Sequence, residues 1–201
     1  MKNLDPTATP ADGEEKTQQR ILRIGTELFA RNGYHGTGIT ELSQAVGLGR
    51  GALYHHIDSK EDLLYEISMS LLRRMIAEAE EIVAENPDAR ARLEALARAL
   101  VREHATRKDA WALVITETRA LTPEHRQSVV AARDRYEQIW AEVLDAGAAE
   151  GWMKPVDELE RRAILGMLNS TARWVSADGA LTPEQVADRH IEMLLEGLAA
   201  S

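Results

Sequence analysis

The chain of 201 residues carries 24 basic and 33 acidic side chains, a formal net charge of −9, and no cysteine. The lack of cysteine excludes disulfides, thiolate metal sites and cysteine nucleophiles, and 44% hydrophobic residues is typical of a globular protein. No apolar run approaches the roughly 18 residues of a membrane span, and the N-terminus has no apolar signal region, so we expect a cytoplasmic protein with no membrane partner.

The charge is unevenly distributed along the chain. Residues 16–60 hold six basic and three acidic side chains, a local net charge of +3, whereas residues 1–15 hold −3 and residues 61–201 hold −9. The net charge of the whole chain argues against nucleic acid, because phosphate binding uses Lys and Arg. The asymmetry, however, points to a nucleic-acid-binding module within an acidic protein.

The first quarter of the chain predicts a disordered arm followed by three helices. Residues 1–15 are rich in Pro, Thr and acidic residues and predict the arm. Apolar residues at helical spacing predict a helix over about residues 15–32. Thr40 is expected to N-cap a short helix. After a glycine-containing break at residues 47–49, a second short helix is predicted over residues 50–57.

The remainder of the chain also reads as helix. Ser59 and Asp62 resemble a capping box before a long helix, and Thr-Pro-Glu at residues 122–124 and 182–184 places Pro at the first position of two later helices. No run alternates with the period of a strand, so we predict an all-α protein of about nine helices. The later helices are predicted over about residues 60–85, after Asn86-Pro87 with an apolar stripe at residues 93–104, over about residues 109–121, from residues 122–124 with a stripe that reaches Gly147, and over about residues 157–177 and 182–199.

The most informative segment is GTGITELSQAVGLGRGALYHHIDSKEDLL, residues 36–64. Two short helices meet across a glycine-containing turn, as a helix-turn-helix requires, because the first helix must brace the second at a steep angle. In the second helix Arg50 can read a guanine edge, small residues allow close approach to the groove, and Tyr or His can donate to phosphate. The positions of this helix that we expect to be exposed to DNA are Arg50, Gly51, Ala52, Tyr54 and His55.

Residues 21–64, ILRIGTELFARNGYHGTGITELSQAVGLGRGALYHHIDSKEDLL, resemble the TetR/AcrR family of transcriptional regulators. The resemblance implies a helix-turn-helix DNA-binding domain, here residues 16–60, and a helical ligand-binding and dimerisation domain, here residues 61–201. It implies base contacts at Arg50, Gly51 and Ala52, and phosphate contacts at Thr40, Tyr54, His55 and Lys60. Residues 173–198 resemble the end of a branch that includes regulators of lipid, acyl-CoA and steroid catabolism.

Side chains of the second domain are candidates for the lining of a ligand pocket. Most of the nine aromatic residues lie after residue 60, which favours a shared cavity, although each one alone is more often part of a core. His104 lies on an apolar stripe, where a histidine is more often a hydrogen-bonded core residue than a polar group of a pocket. Arg119 and Arg173 could hold an anionic group, with a surface salt bridge as the commoner role. The candidate lining residues are Met69, Leu100, His104, Trp111, Ile115, Arg119, Tyr136, Trp140, Met167, Arg173 and Trp174.

The apolar faces of the last two helices predict a homodimer with a four-helix interface. Its candidate residues are Ile164, Leu168, Ala172, Val175, Ile191, Leu194 and Leu198. We therefore predict a homodimeric repressor that leaves a pseudo-palindromic double-stranded DNA operator when it binds a hydrophobic small molecule, such as an acyl-CoA or a related acid.

Two other functions are compatible with the sequence. In the first, the second domain of a helix-turn-helix regulator binds a protein partner. The more remote one is a small helical hydrolase. The sequence has no G-x-S-x-G, H-E-x-x-H or phosphate-loop motif, so we expect a protein that is not an enzyme, with no catalytic residues, no cofactor and no metal site.

Overall fold

The computed structural model describes residues 11–198, with side chains described for residues 17–197. Within that range the chain forms nine α-helices and two short 3₁₀ turns, and no strand, which confirms the prediction of an all-α protein of about nine helices. None of these helices has the length and apolar character that a membrane span requires.

The helices follow one another along the chain with short connections. They are α1 (Ala11–Asn32), α2 (Ile39–Val46), α3 (Arg50–Tyr54), α4 (Lys60–Glu85), α5 (Ala89–Thr106), α6 (Lys108–Thr116), α7 (Pro123–Ala149), α8 (Glu158–Asn169) and α9 (Pro183–Leu198), with 3₁₀ turns at Thr118–Ala120 and Ser170–Arg173. The chain divides into two compact units between Ile67 and Ser68.

That division falls seven residues beyond the expected domain boundary at residue 60. The first two turns of α4 belong to the N-terminal unit because Leu63 and Leu64 are completely buried there, and Leu63 lies directly against the backbone of Gly25 in α1. Helix α4 therefore carries residues of both units.

Helix α1 begins at Ala11, so the predicted disordered arm over residues 1–15 is too long by its last five residues. Residues 11–16 are mainly Ala, Glu and Lys beside one Asp and one Gly, and Ala, Glu and Lys are residue types that favour helix. The rest of the predicted arm, residues 1–10, lies outside the described residues.

The turn between α2 and α3 depends on one glycine. Gly47 has φ 76°, a left-handed conformation that side chains disfavour, and its N–H donates to the carbonyls of Ser43 and Gln44. The Ser43 hydroxyl donates to the Leu48 carbonyl at 2.7 Å, so the turn is braced from both sides. The predicted break at residues 47–49 is therefore present.

Several predicted helix ends differ from the structure. Thr40 is not an N-cap: Leu42 N–H donates to the Gly38 carbonyl at 3.0 Å, which starts α2 at Ile39. Helix α3 ends at Tyr54, three residues before the predicted end. In α6 and α8 the predicted ends are five and eight residues too late, because the chain beyond each helix continues into a 3₁₀ turn, at Thr118–Ala120 and Ser170–Arg173.

The core of the C-terminal unit surrounds α5. The buried stripe of this helix packs against α6, α7, α8 and α9, and includes Leu93, Leu96, Leu100, Val101 and His104, all at most 1% exposed. The same core takes up most of the residues predicted for the dimer interface. Ile164, Leu168, Ala172, Val175 and Ile191 are at most 7% exposed and Leu194 is partly buried in the core, while the side chain of Leu198 lies outside the described residues.

The predicted interface is therefore wrong for those buried residues. The apolar stripe that periodicity detects on α8 and α9 faces the chain's own core, so it cannot meet a second copy. The exposed side of these helices carries a different set: Leu159, Ala163, Gly166, Ser170 and Trp174 at helical spacing on and after α8, and Met193 on α9.

Candidate nucleic-acid interface and cavity

Helix α3 is held from one side only. Leu53 is completely buried and Ile57, just beyond the helix, is 2% exposed, so these two residues anchor it on α2. The opposite side is open, and every predicted DNA contact except Lys60 is exposed: Thr40, Arg50, Gly51, Ala52, Tyr54 and His55. Tyr54 is 43% exposed, although it is a large aromatic residue.

Two glycines, one before and one after the first residue of α3, are not required by packing within the N-terminal unit. A Cβ atom on Gly49 or Gly51 would meet nothing within 4 Å, and Gly49 has an ordinary φ of −64°. Internal packing and backbone strain therefore do not explain these glycines. A partner that approaches the backbone closely from outside would explain them, as a base edge in the major groove does.

The Lys60 side chain forms its hydrogen bonds within the N-terminal unit. Its Nζ donates to the carbonyls of Tyr34 and Thr37, each at 2.9 Å, and lies 4.5 Å from the centre of the Tyr34 ring. An ammonium has three donors, so two of them hold the loop between α1 and α2. The sequence resemblance places Lys60 at a phosphate, whereas the geometry gives it a structural role.

We expect Lys60→Met to loosen this loop. The substitution keeps an apolar stem but leaves two carbonyls without their charged donor, which costs about 2 kcal/mol. Denaturant unfolding should show the loss, and amide hydrogen exchange at residues 33–38 should accelerate. Lys108→Met, at an exposed lysine of α6, should change neither measurement.

The C-terminal unit contains a cavity of about 240 Å³ between α4, α5, α6, α7 and α8. The residues that line it are Leu72, Met75, His104, Trp111, Ile115, Arg133, Tyr136, Glu137, Leu165, Asn169 and Ala172. Four of them, His104, Trp111, Ile115 and Tyr136, are among the predicted lining residues. Six of these eleven side chains are apolar or indole, and the other five carry polar or charged groups, so the wall combines apolar surface with polar groups, as sites for small molecules do.

The other predicted lining residues lie elsewhere. Leu100 and Trp140 are completely buried in the core, Met69 is buried in α4, and Met167 is partly buried against the core. Arg119, Arg173 and Trp174 are exposed, because the helices that were expected to carry them end early. Trp174 instead stacks on His190, with ring centres 6.1 Å apart.

Arg133, which is not among the predicted lining residues, supplies a positive charge at the cavity, whereas the candidates Arg119 and Arg173 do not line it. Its Nη2 donates to the Val114 carbonyl at 2.7 Å, and burial lowers the pKa of its guanidinium, an effect that nearby Glu137 opposes. The guanidinium has five N–H donors. Among the described residues, the Val114 carbonyl is the acceptor recorded for them. One sequence signal could have found it, since Arg133 lies four residues after Val129 and three before Tyr136 on the apolar stripe of α7.

Two further polar side chains of the wall are uncharged. Burial lowers the pKa of His104 to about 4, and burial raises the pKa of Tyr136 above its ordinary value. Imidazole and phenol therefore both remain neutral at physiological pH, and Arg133 and Glu137 carry the charge at this cavity.

The buried imidazole predicts a pH-dependent stability. The unfolded chain binds a proton at His104 near pH 6.5 and the folded chain only near pH 4, so between these values the unfolded state holds more protons and the free energy of unfolding falls as the pH falls. Between pH 7 and pH 5 this contribution is about 2 kcal/mol. Urea unfolding at several pH values should show it, and His104→Gln should remove that part of the slope while the other histidines continue to titrate.

An exposed, glycine-flanked second helix on a helix-turn-helix, together with a separate helical unit that contains a cavity, defines a class of protein: DNA-binding transcriptional regulators with a sensory domain. Comparison with known families agrees. Residues 21–67 match the bacterial regulatory proteins of the tetR family, and residues 86–198 match the tetracyclin repressor-like C-terminal domain. The chain belongs to the TetR family.

The relatives are regulators of the same architecture. The HTH-type transcriptional repressor KstR2 of Rhodococcus jostii is 30% identical over 200 residues, 97% of each chain. The structure of PfmR, a TetR family transcriptional regulator of Thermus thermophilus, matches with a TM-score of 0.82 and 36% identity over 90% of this chain and all of that one. AibR, solved with isovaleryl coenzyme A and operator DNA, matches with a TM-score of 0.78 and 27% identity over 88% and 97%.

These comparisons confirm the resemblance to the TetR/AcrR family and to its lipid and steroid branch. They also confirm that the chain is a regulator and not an enzyme, since the relatives are named as transcriptional repressors.

Proposed function

We propose that the protein is a homodimeric repressor that binds a pseudo-palindromic operator and is released from it by an anionic small molecule with an apolar body. The observation that carries this proposal is the cavity of the C-terminal unit, where Arg133 contributes a half-buried positive charge to a partly apolar wall. The remaining elements follow from the exposed α3 and from the membership of the family. The site of action is the cytoplasm, where the DNA lies.

DNA contacts are assigned by exposure and chemistry. Arg50, Gly51 and Ala52 face base edges, where Arg50 donates to a guanine and the small residues permit close approach. Thr40, Tyr54 and His55 donate to phosphate oxygens, which fixes the register of the protein on the duplex. Lys60 supports these contacts by holding the loop before α2. A dimer with two-fold symmetry places its two α3 helices in successive major grooves, roughly 34–36 Å apart.

The effector is a hydrophobic acid or its thioester. A guanidinium with free N–H donors binds carboxylate or phosphate, and the aromatic and aliphatic walls suit an acyl chain. The cavity volume of about 240 Å³ lies just below the usual range of ligand-pocket volumes, about 300–1,000 Å³, which favours a short acyl chain. The relative AibR was solved with isovaleryl coenzyme A, which supports an acyl-CoA or the related acid as the class to test.

Helix α4 is the proposed link between the two functions. Leu72 and Met75 line the cavity, while Lys60, at the start of the same helix, holds the loop before α2. A ligand that prefers a shifted α4 would change the separation of the two recognition helices in the dimer. It releases the operator only to the extent that it binds the shifted state more tightly than the DNA-bound state.

The test combines operator release with a cavity variant. Octanoate and octanoyl-CoA are titrated against the protein on a fluorescent operator taken from the DNA upstream of its own gene. In Arg133→Gln the effector should bind about 10- to 100-fold more weakly, because a charged hydrogen bond is lost, while operator binding without effector is unchanged. Arg135→Gln on the same helix, whose guanidinium pairs with Glu80 at 2.7 Å, should behave like the parent. Release that is unaffected by Arg133→Gln would contradict the assignment of the anion to this arginine.

A further inference from the structure

The cavity wall contains two buried polar atoms that have no hydrogen-bond partner among the described residues. They are the Nε2 of His104 and the Nε1 of Trp111, and both side chains line the cavity. The two rings meet edge to face, with centres 4.5 Å apart and planes at 82°. Buried polar groups are nearly always hydrogen-bonded, so these two atoms indicate a partner outside the described residues.

The hydrogen bonds around His104 determine which of its nitrogens carries the proton. Its Nδ1 lies 2.7 Å from the Thr171 hydroxyl oxygen, and that hydroxyl donates its only hydrogen to the Leu168 carbonyl at 2.7 Å. With the hydroxyl hydrogen on the Leu168 carbonyl, Nδ1 donates to Thr171, and we assign Nε2 of the neutral ring as a bare acceptor. The indole Nε1 of Trp111 is a donor only.

One orphaned acceptor and one orphaned donor on two contacting rings call for a group that both donates and accepts. A hydroxyl is the smallest such group. We infer that the effector carries a hydroxyl that donates to His104 Nε2 and accepts from Trp111 Nε1–H, so that its class is a hydroxylated acid or hydroxyacyl thioester and not a plain fatty acid. The inference rests on the proposed function, since it identifies which acid the same cavity selects.

Selectivity should follow from the cost of leaving these atoms unpaired. A site built to hydrogen-bond a ligand hydroxyl discriminates strongly against the analogue that lacks it, because the buried polar groups then lose their partner. Arg133 fixes the anionic end of the ligand, and the His104 and Trp111 rings then hydrogen-bond a hydroxyl at one position along the ligand's acyl chain. We expect a single positional isomer to be preferred.

The first experiment uses the unmodified protein. Octanoate and its positional hydroxy isomers, each as free acid and as CoA thioester, are compared by isothermal titration and by release of the operator. At least one hydroxy isomer should bind about tenfold or more tightly than octanoate, and it should release the operator at correspondingly lower concentration.

Three variants identify the atoms involved. Trp111→Phe keeps an aromatic ring and removes the N–H, so it should reduce the preference for the hydroxy isomer. His104→Asn keeps an amide within reach of Thr171 but lacks the acceptor at the Nε2 position, and should also reduce it. His104→Gln places an amide oxygen near that position and should retain part of the preference. Melting temperatures without ligand show whether each variant is folded.

The outcomes separate the two proposals. If no acid or thioester binds or releases the operator, the proposed effector class is wrong and the hydroxyl inference falls with it. If octanoate binds and releases the operator as well as every hydroxy isomer does, the effector cavity stands and only the hydroxyl inference is overturned, in which case a buried water pairs the two ring atoms. The same conclusion follows if Trp111→Phe and His104→Asn leave the hydroxyl preference of the parent unchanged.

Discussion

Gly166→Arg should convert the protein from dimer to monomer and weaken operator binding by about 10²- to 10⁴-fold. Gly166 lies on the exposed side of α8 within the stripe of Leu159, Ala163 and Ser170, which we assign to the dimer interface. Two copies related by a two-fold axis bring this stripe against itself. An arginine there places like charges in an apolar contact, and without the dimer each half-site binds alone and loses the gain from a second tethered contact.

The substitution leaves the fold of the subunit unharmed. A Cβ at Gly166 meets nothing within 4 Å inside the chain, and replacing Gly in a helix by a better helix former stabilises the helix by up to about 1 kcal/mol. Unfolding of the subunit would therefore not explain a loss of DNA binding in this variant. Light scattering reports the oligomeric state, and fluorescence anisotropy on the full operator and on a single half-site reports the affinity.

Val130→Arg provides the matched control. Val130 is also an exposed apolar residue of a long helix, 44% exposed on α7, but it lies outside the α8 and α9 stripe. It should remain a dimer with the operator affinity of the parent. A Gly166→Arg protein that is dimeric and binds the operator normally would show that another surface joins the two copies.

The dimer interface illustrates what periodicity reveals and what it does not. The spacing of Ile164, Leu168 and Ile191 correctly indicates an apolar face on α8 and α9, but a pattern cannot say whether that face meets the chain's own core or a second copy. In the structure α5 covers it. The outer stripe contains Gly, Ala and Ser beside Leu159, and such a mixture of small residues gives no periodic signal in the sequence.

The lining of the cavity is also only partly predictable from sequence periodicity. The existence and approximate starts of the helices are predictable from Gly, Pro and Thr residues and from the apolar stripes, whereas the ends of α3, α6 and α8 are predicted three, five and eight residues too late. The early helix ends at Thr116 and Asn169 carry Arg119 and Arg173 to the surface. The internal bonds of Lys60 go to backbone carbonyls, which every residue has, so no sequence pattern could indicate them.

Arg50→Ala should lower affinity for the operator by about 30- to 10⁴-fold, and should do so selectively. A bidentate contact between arginine and guanine is worth about 1–3 kcal/mol, and a symmetric dimer loses it twice, so the total is about 2–6 kcal/mol. Arg50 is fully available for such a contact, because it is exposed at the first position of α3. Anisotropy titrations on the operator and on a scrambled duplex of equal length measure the two affinities.

The comparison between sequences distinguishes base reading from phosphate binding. If Arg50 reads a base, Arg50→Ala relaxes the preference at one position of each half-site, while binding to the scrambled duplex changes little and the salt dependence is nearly retained. Arg50→Lys keeps the charge but not the two parallel donors, so it should recover non-specific binding and only part of the specificity. Arg31→Ala, at an exposed arginine near the end of α1, should leave the sequence preference intact. An equal loss on both duplexes with a shallower salt dependence would instead place Arg50 on a phosphate, and base reading would then rest on the side chains and backbone that follow it in α3.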